Sequence, residues 1–349
     1  MVQQETLTPA EPMVPDRRAP ARPAGTGRAA RFGRLRRLGR WPEALAVCVV
    51  GQLLPFAYLP ALRDRHQTFF QDVLVNAMGT DRHGMARLWR SGVLPTWVRS
   101  QYGGEPYLAN LQHGVLYPGN LPFWVLDTST ALDVVVAVHL ALAFVGMWAY
   151  CRIGLRLGGW AALLGAVAFA YSGNVLQHTV LGDQFQVVCL VPLVMLAAHL
   201  ALHRGGLGRT VLAAVAIGVQ FLAGHPEQWL YTVAGLALYG VAWVLLAGPV
   251  ATLPRRAWAA MLRLGGAVAL FVLLFAWQLL PTLLLAGQGY RTSPSFREQY
   301  PLPRQSAINA LLPDFGRVLV GENVAFVGTA ALCLVGLGLL ARRLDLRWV

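Results

Sequence analysis

Apolar runs of membrane-spanning length recur between residues 42 and 341, and no other feature of the sequence restricts its fold as tightly. A helix needs about 20 apolar residues to cross the hydrocarbon core of a bilayer. In lipid every backbone amide must find its partner inside the protein, so runs of this kind are expected to be helical. Eight runs qualify: 42–62, 131–150, 155–171, 185–202, 210–223, 227–247, 264–286 and 323–341. The third and fifth are short, which predicts tilted, interfacial or broken helices. With 56% hydrophobic and 13% charged residues, the expected fold class is all-α, a polytopic transmembrane helical bundle of about eight spans.

Arginine tests this layout. The chain carries 29 basic residues, all arginine, and a formal charge of +13. If the N-terminus is cytoplasmic and the spans alternate, nineteen arginines fall on the cytoplasmic side and ten on the outer side. The inner connections are then short and basic, as the positive-inside tendency requires. Membrane topology thus accounts for the charge, and no nucleic-acid partner is expected. Residues 1–40, rich in Pro, Ala, Gly and Arg, read as a solvated, disordered, basic cytoplasmic tail. Residues 41–349 then form the transmembrane domain. Cys48, Cys151, Cys189 and Cys333 all sit in apolar runs without CxxC spacing and read as small core residues.

On this topology four polar stretches share the outer face: 63–130, 172–184, 224–227 and 287–322. They hold nearly all the unusual polar groups, among them Asp64, Asp72, Asp81, Glu105, His113, His178, Asp183, His225, Glu227, Arg291, Arg297 and Asp314. The first is a large extracytoplasmic loop expected to contain short interfacial helices. Within it, residues 92–122 alternate turn formers (Gly92, Pro95, Gly103, Gly104, Pro106, Gly114, Pro118, Gly119, Pro122) with Trp97, Tyr102, Tyr107 and Tyr117. Glycine and proline at that density fix a specific backbone path, and a long ordered loop is more often functional than accidental.

Several blocks follow in order: FFQDVLVN (69–76), SGVLPTWVRSQYGGEPYLANLQHGVLYPGNL (91–121), AFAYSGNVLQH (168–178), VPLVMLAAHLAL (191–202), FLAGHPEQWLY (221–231) and QLLPTLLLAGQGYR (278–291). Together they resemble the YfhO-type bacterial membrane proteins, which are grouped with the GT-C-type, polyprenyl-phosphate-sugar-dependent glycosyltransferases. Members are usually much longer, so the resemblance implies a fragment or a shortened member. It also implies an inverting transfer on the extracytoplasmic face of the bacterial cytoplasmic membrane. The donor would be a polyprenyl-phosphate sugar and the acceptor an envelope polymer, lipid or protein.

That reaction needs a carboxylate to take the acceptor hydroxyl's proton, and cations to hold the departing phosphate. The resemblance places the acidic residue at Asp72, whose neighbours Phe69, Phe70, Val73 and Leu74 would desolvate it. Asp81 and Asp64 are the lesser candidates. Gln112, His113, Tyr117, His225 and Glu227 are expected to bind substrate, and Arg291 and Arg297 to hold phosphate. His178 and Asp183 read as interfacial, while Glu227 also suits a helix N-terminus for its dipole alone. Gln278 is expected to face the bundle and Pro281 to kink its helix. Among Asp72, His113, His178, His225 and Glu227 no pair has helical ligand spacing, so neither a metal nor another cofactor is expected. A non-catalytic reading stays open: a lipid-linked sugar translocator, or a partner subunit of an envelope-assembly complex.

Overall fold

The computed structural model describes residues 46, 47, 49–51, 53, 79–99, 103–179 and 182–288. The chain divides into Met1–Ala44, outside the described residues, and Leu45–Val349. The expected first and last spans, the tail and the loop 287–322 therefore lie wholly or mostly beyond description.

The described part is helical, with no strand among the described residues and one isolated antiparallel bridge between Val98 and Glu105. In order come α1 (Thr80–Arg90), α2 (Pro122–Val125), α3 (Thr128–Ala149), α4 (Gly159–Ala170), α5 (Gly173–His178), α6 (Asp183–Arg204) and α7 (Leu207–Leu222). They are followed by α8 (Pro226–Leu246), α9 (Leu253–Ala260), α10 (Gly266–Leu274) and α11 (Ala276–Ala286). Among the described residues, four continuous helical segments are long and apolar enough to cross a membrane: Thr128–Gly154, Asp183–Arg204, Pro226–Leu246 and Val250–Leu274. The short runs at 155–171 and 210–223 become the short helices α4 and α7.

The seventh run differs from its expected outline. Helix begins at Val250, well before 264, and is interrupted at Phe275, after which α11 begins. Pro281 lies inside α11 rather than at this break. The ring of Phe275 occupies the place where a Cβ on Gly218 of α7 would stand, so the break is fitted to a residue without a side chain. Gln278 is buried, and its Nε2 donates to the Leu108 carbonyl at 2.7 Å, while Thr282 Oγ1 donates to that of Ala109 at 3.0 Å. The polar residues of this run thus tie α11 to the first loop.

Start signals are local. Asp127 caps α3 by accepting from Thr130 N, and Ser172 caps α5 by accepting from Val175 N. His225 caps α8 through its ring, followed by Pro226 at the first helical position. α3 packs on α4 and α6, α6 on α7, and α7 on α10. Small residues (Ala143, Ala166, Ala198, Ala213, Ala214) sit fully buried at these crossings and let the backbones approach. Cys151 and Cys189 are buried free thiols among them.

The bundle is polarised. At one end, Arg204 reaches the Ile153 carbonyl, Arg209 that of Gly205 and Arg263 that of Leu202. Residues 150–158, 203–209 and 247–265, which form this end, contain no carboxylate. Residues 79–99, 103–127, 172–179, 182–184 and 224–228 lie at the other.

Candidate functional site

Loop 79–127 is held by its own small core, in which Met85 of α1 packs with Val98, Tyr107 and Val115. Beside it, Ala86 and Phe123 pack on Ala131 and Val135 of α3. Arg90 closes the far side by donating to the carbonyls of Phe123, Trp124 and Leu126. The backbone pairing of Val98 with Glu105, at 2.8 and 3.0 Å, turns Glu105 back toward α1.

His113 then stands between two carboxylates. Its Nδ1 lies 3.2 Å from Asp81 Oδ2 and its Nε2 3.0 Å from Glu105 Oε1. Asn110 Nδ2 donates to the same Glu105 oxygen at 2.6 Å. A carboxylate only accepts, so both ring bonds coexist when the imidazole carries both protons or when one carboxyl keeps its own. Tyr107 stacks on this ring with centroids 3.8 Å apart. Burial, and next the charge of Asp81, push the Tyr107 hydroxyl's pKa up. His113 itself is buried, while Asp81 and Glu105 keep 15% and 17% of their side-chain surface open, so the accessible part of the cluster is carboxylate.

Behind the cluster lies Arg82, 1% exposed. Its Nη2 donates to the Gln112 carbonyl at 3.3 Å, and its Nη1 is buried without a hydrogen-bond partner. Burial pushes the guanidinium's pKa down, opposed first by the nearby Asp183 carboxylate and, more weakly, by Asp81. Asp183 begins α6 and is itself buried. Gly224 completes the junction at φ +116°, where a Cβ would approach the Leu111 carbonyl to 3.0 Å and Asp183 Cβ to 3.2 Å. Segments 79–115, 183 and 224, far apart in the chain, therefore touch at one point.

The other expected site residues divide. Gln112 is exposed at this end, and Glu227 is exposed on the first turn of α8. Tyr117 is buried, and its hydroxyl donates to His139 Nε2 at 2.7 Å, so it is committed to the interior. His225 is also buried. Its Nδ1 accepts from Gln228 N, which leaves Nε2–H facing Gln184 at 2.9 Å. Such a donor sets the carboxamide oxygen of Gln184, not its nitrogen, opposite the ring. His178 is buried, with its Nδ1 against the Asn174 carbonyl. Asp72, Asp64, Arg291 and Arg297 lie outside the described residues. Among the described residues no group of three His, Cys, Asp or Glu side chains could hold a metal ion.

Sequence reasoning named Glu105 and Tyr107 only as members of the polar loop and Arg82 only among the arginines, and gave none of them a site role, because adjacency across the loop is not a periodic signal. It also passed over Gln186 and Gln220, carboxamides buried in α6 and α7. Gln186 Nε2 donates to Asn120 Oδ1, and Gln220 Nε2 to Thr232 Oγ1 and the Val187 carbonyl, each at 3.0 Å. A lone carboxamide inside an apolar run was the available signal, the same one that singled out Gln278. No protein family, characterised protein or solved structure matches the chain.

Proposed function

We propose that the chain is a membrane-embedded inverting glycosyltransferase that uses a polyprenyl-phosphate sugar and acts at the polar end of the bundle, on the extracytoplasmic face. One observation carries the reading most: two partly open carboxylates, Asp81 and Glu105, are held on either side of His113 where segments 79–115, 183 and 224 converge. In the reaction a carboxylate accepts the proton of the acceptor hydroxyl. The freed oxygen bonds to the anomeric carbon from the face opposite the phosphate, and the electron pair of the breaking C–O bond leaves with the phosphate. Asp72 keeps the role of base given by the resemblance, with Asp81 as the described alternative. Arg291 and Arg297 keep that of phosphate ligands. Exposed Gln112 and Glu227 flank the approach.

Transfer from a panel of radiolabelled polyprenyl-phosphate sugars to envelope extracts tests the reading. Wild type is expected to transfer from at least one donor. A loss of about 10²-fold or more in Asp72→Asn, with Asp81→Asn milder, identifies the base; the reverse order moves the role to Asp81. Equal transfer by wild type and both variants removes the enzymatic reading. A second reading, translocation of a lipid-linked sugar, draws on the buried amides Asn120, Gln186 and Gln220 at the same end. It predicts donor movement across vesicles without transfer.

A further inference from the structure

The end of the bundle opposite the His113 cluster holds a second set of polar side chains, which the proposed transfer does not use. His199 and His203 lie four residues apart near the end of α6, so their rings share one face of the helix. The rings stack with centroids 4.1 Å apart, and both turn a nitrogen to the hydroxyl of Tyr239 on α8. Nδ1 of His199 lies 2.7 Å from that oxygen and Nε2 of His203 2.9 Å. A phenol has one proton to give, so at least one of the two nitrogens carries its own and donates to the oxygen. Trp243 meets the His203 ring edge-on at 5.9 Å. His199 is buried within this arrangement, and His203 is exposed at its rim. With Nε2 taken by Tyr239, the ring of His203 is held in place and its Nδ1 is the nitrogen left for a ligand.

Cations converge on that ring from three segments. Of the charges around His203, that of Arg263 acts most strongly, then that of Arg156; His199 beneath it feels Arg204 and Arg156. Arg263, in the π-turn Met261–Gly265, donates to the Leu202 carbonyl and lies against Gly205, where a Cβ would stand 3.0 Å from its Nη2. Arg204 donates to the Ile153 carbonyl. Arg156 is held at φ +57°, the one non-glycine residue with positive φ among the described residues, a conformation that a side chain makes costly. Capping the last carbonyls of a helix is an ordinary role for arginine, and it accounts for Arg209 and for one arm of Arg263. It does not extend to Arg156, which stands exposed on another segment, as Arg204 and His203 are exposed on α6. Residues 150–158, 203–209 and 247–265 contain no carboxylate to balance them. Three guanidinium groups around a fixed imidazole complement a compact, doubly charged anion, and the arginine fork matches phosphate oxygens.

We propose that this cluster binds a phosphate monoester, held by Arg156, Arg204 and Arg263 with His203 Nδ1–H as a further donor. The site does not depend on the transferase reading. Phosphatidic acid and glycerol 3-phosphate carry the same group, one in the bilayer and one in solution, so the test has two arms. In the first, the full chain in phosphatidylcholine nanodiscs is titrated calorimetrically with glycerol 3-phosphate. In the second, it is placed in nanodiscs of equimolar phosphatidic acid and phosphatidylglycerol, and the lipid it keeps on extraction into detergent is identified by mass spectrometry. Wild type is expected to bind in at least one arm: saturable heat assigns a soluble ligand, preferential retention of phosphatidic acid a membrane one. In the arm that binds, Arg156→Gly should lose roughly tenfold in affinity, the scale of one charge-assisted hydrogen bond. Its melting temperature should hold or rise, because glycine adopts φ +57° freely. His203→Gln should weaken binding to a similar degree. Arg255→Gln removes the same charge from an exposed position at this end and should leave binding unchanged. Binding in neither arm, undiminished binding in Arg156→Gly, or an equal loss in Arg255→Gln would each overturn the proposal, the last by reducing the cluster to the general field of a basic surface.

Discussion

His113 uses both ring nitrogens on carboxylates, which makes it the residue whose loss disturbs most. His113→Ala removes two charge-assisted contacts and leaves Asp81 and Glu105 without their shared donor. We expect a cost on the order of 2 kcal/mol, read as a lower melting temperature in detergent; an unchanged melting curve would mean the ring is dispensable. Gly224→Ala should cost at least about 1 kcal/mol from its positive φ, before the approach to two carbonyls and to Asp183 is counted. Tyr107 gives a pH dependence of defined sign. Its folded-state pKa is raised above 10.0, so the unfolded chain loses that proton first and stability falls as pH rises past 10.0. Tyr107→Phe should flatten that alkaline loss in a pH series of melting temperatures, and an equally steep loss in the variant would contradict the assignment. Asp81 and His113 were legible as polar residues of one long loop. The three-residue cluster was not, because it also needs Glu105 folded back across a bridge to Val98 that no periodicity announces.

At the scale of elements, hydrophobic run length was the readable quantity. The runs at 131–150, 185–202 and 227–247 return as α3, α6 and α8, and the two short runs return as short helices. The seventh run was read as one span because composition is continuous through Phe275, and composition does not record where a ring meets Gly218 of another helix. Gly218→Ala should therefore act at a distance: the added Cβ overlaps the Phe275 ring and forces α11 to shift. Since α11 is tied to the loop by Gln278 and Thr282, amide hydrogen exchange should rise at residues 108–110 in Gly218→Ala, and also in Gln278→Leu. Exchange confined to α7 and α11 would show that the tie carries no constraint. Gln278 was expected to face the bundle, and it does; its partner proved to be the loop backbone, a contact 170 residues away in sequence.

For the molecule as a whole, the arginine pattern separates two ends that the structure then builds differently. One is basic and free of carboxylates; at the other, Arg82 and Asp183 are buried where residues 111–112 and Gly224 meet, and α11 is tied to the Leu108 and Ala109 carbonyls. That segregation was readable because positive-inside bias is additive over many residues and tolerates errors at any one helix end. The junction itself was not, since each buried amide or guanidinium inside it is single and has no spacing to betray it. The direct test is site-specific labelling of intact cells with a membrane-impermeant maleimide, in a background lacking the native cysteines. Gln112→Cys and Glu227→Cys are expected to react without permeabilisation, and Arg255→Cys only after it. If Gln112→Cys and Glu227→Cys report opposite sides of the membrane, or Arg255→Cys reacts from outside, the shared outer compartment on which the account depends does not exist.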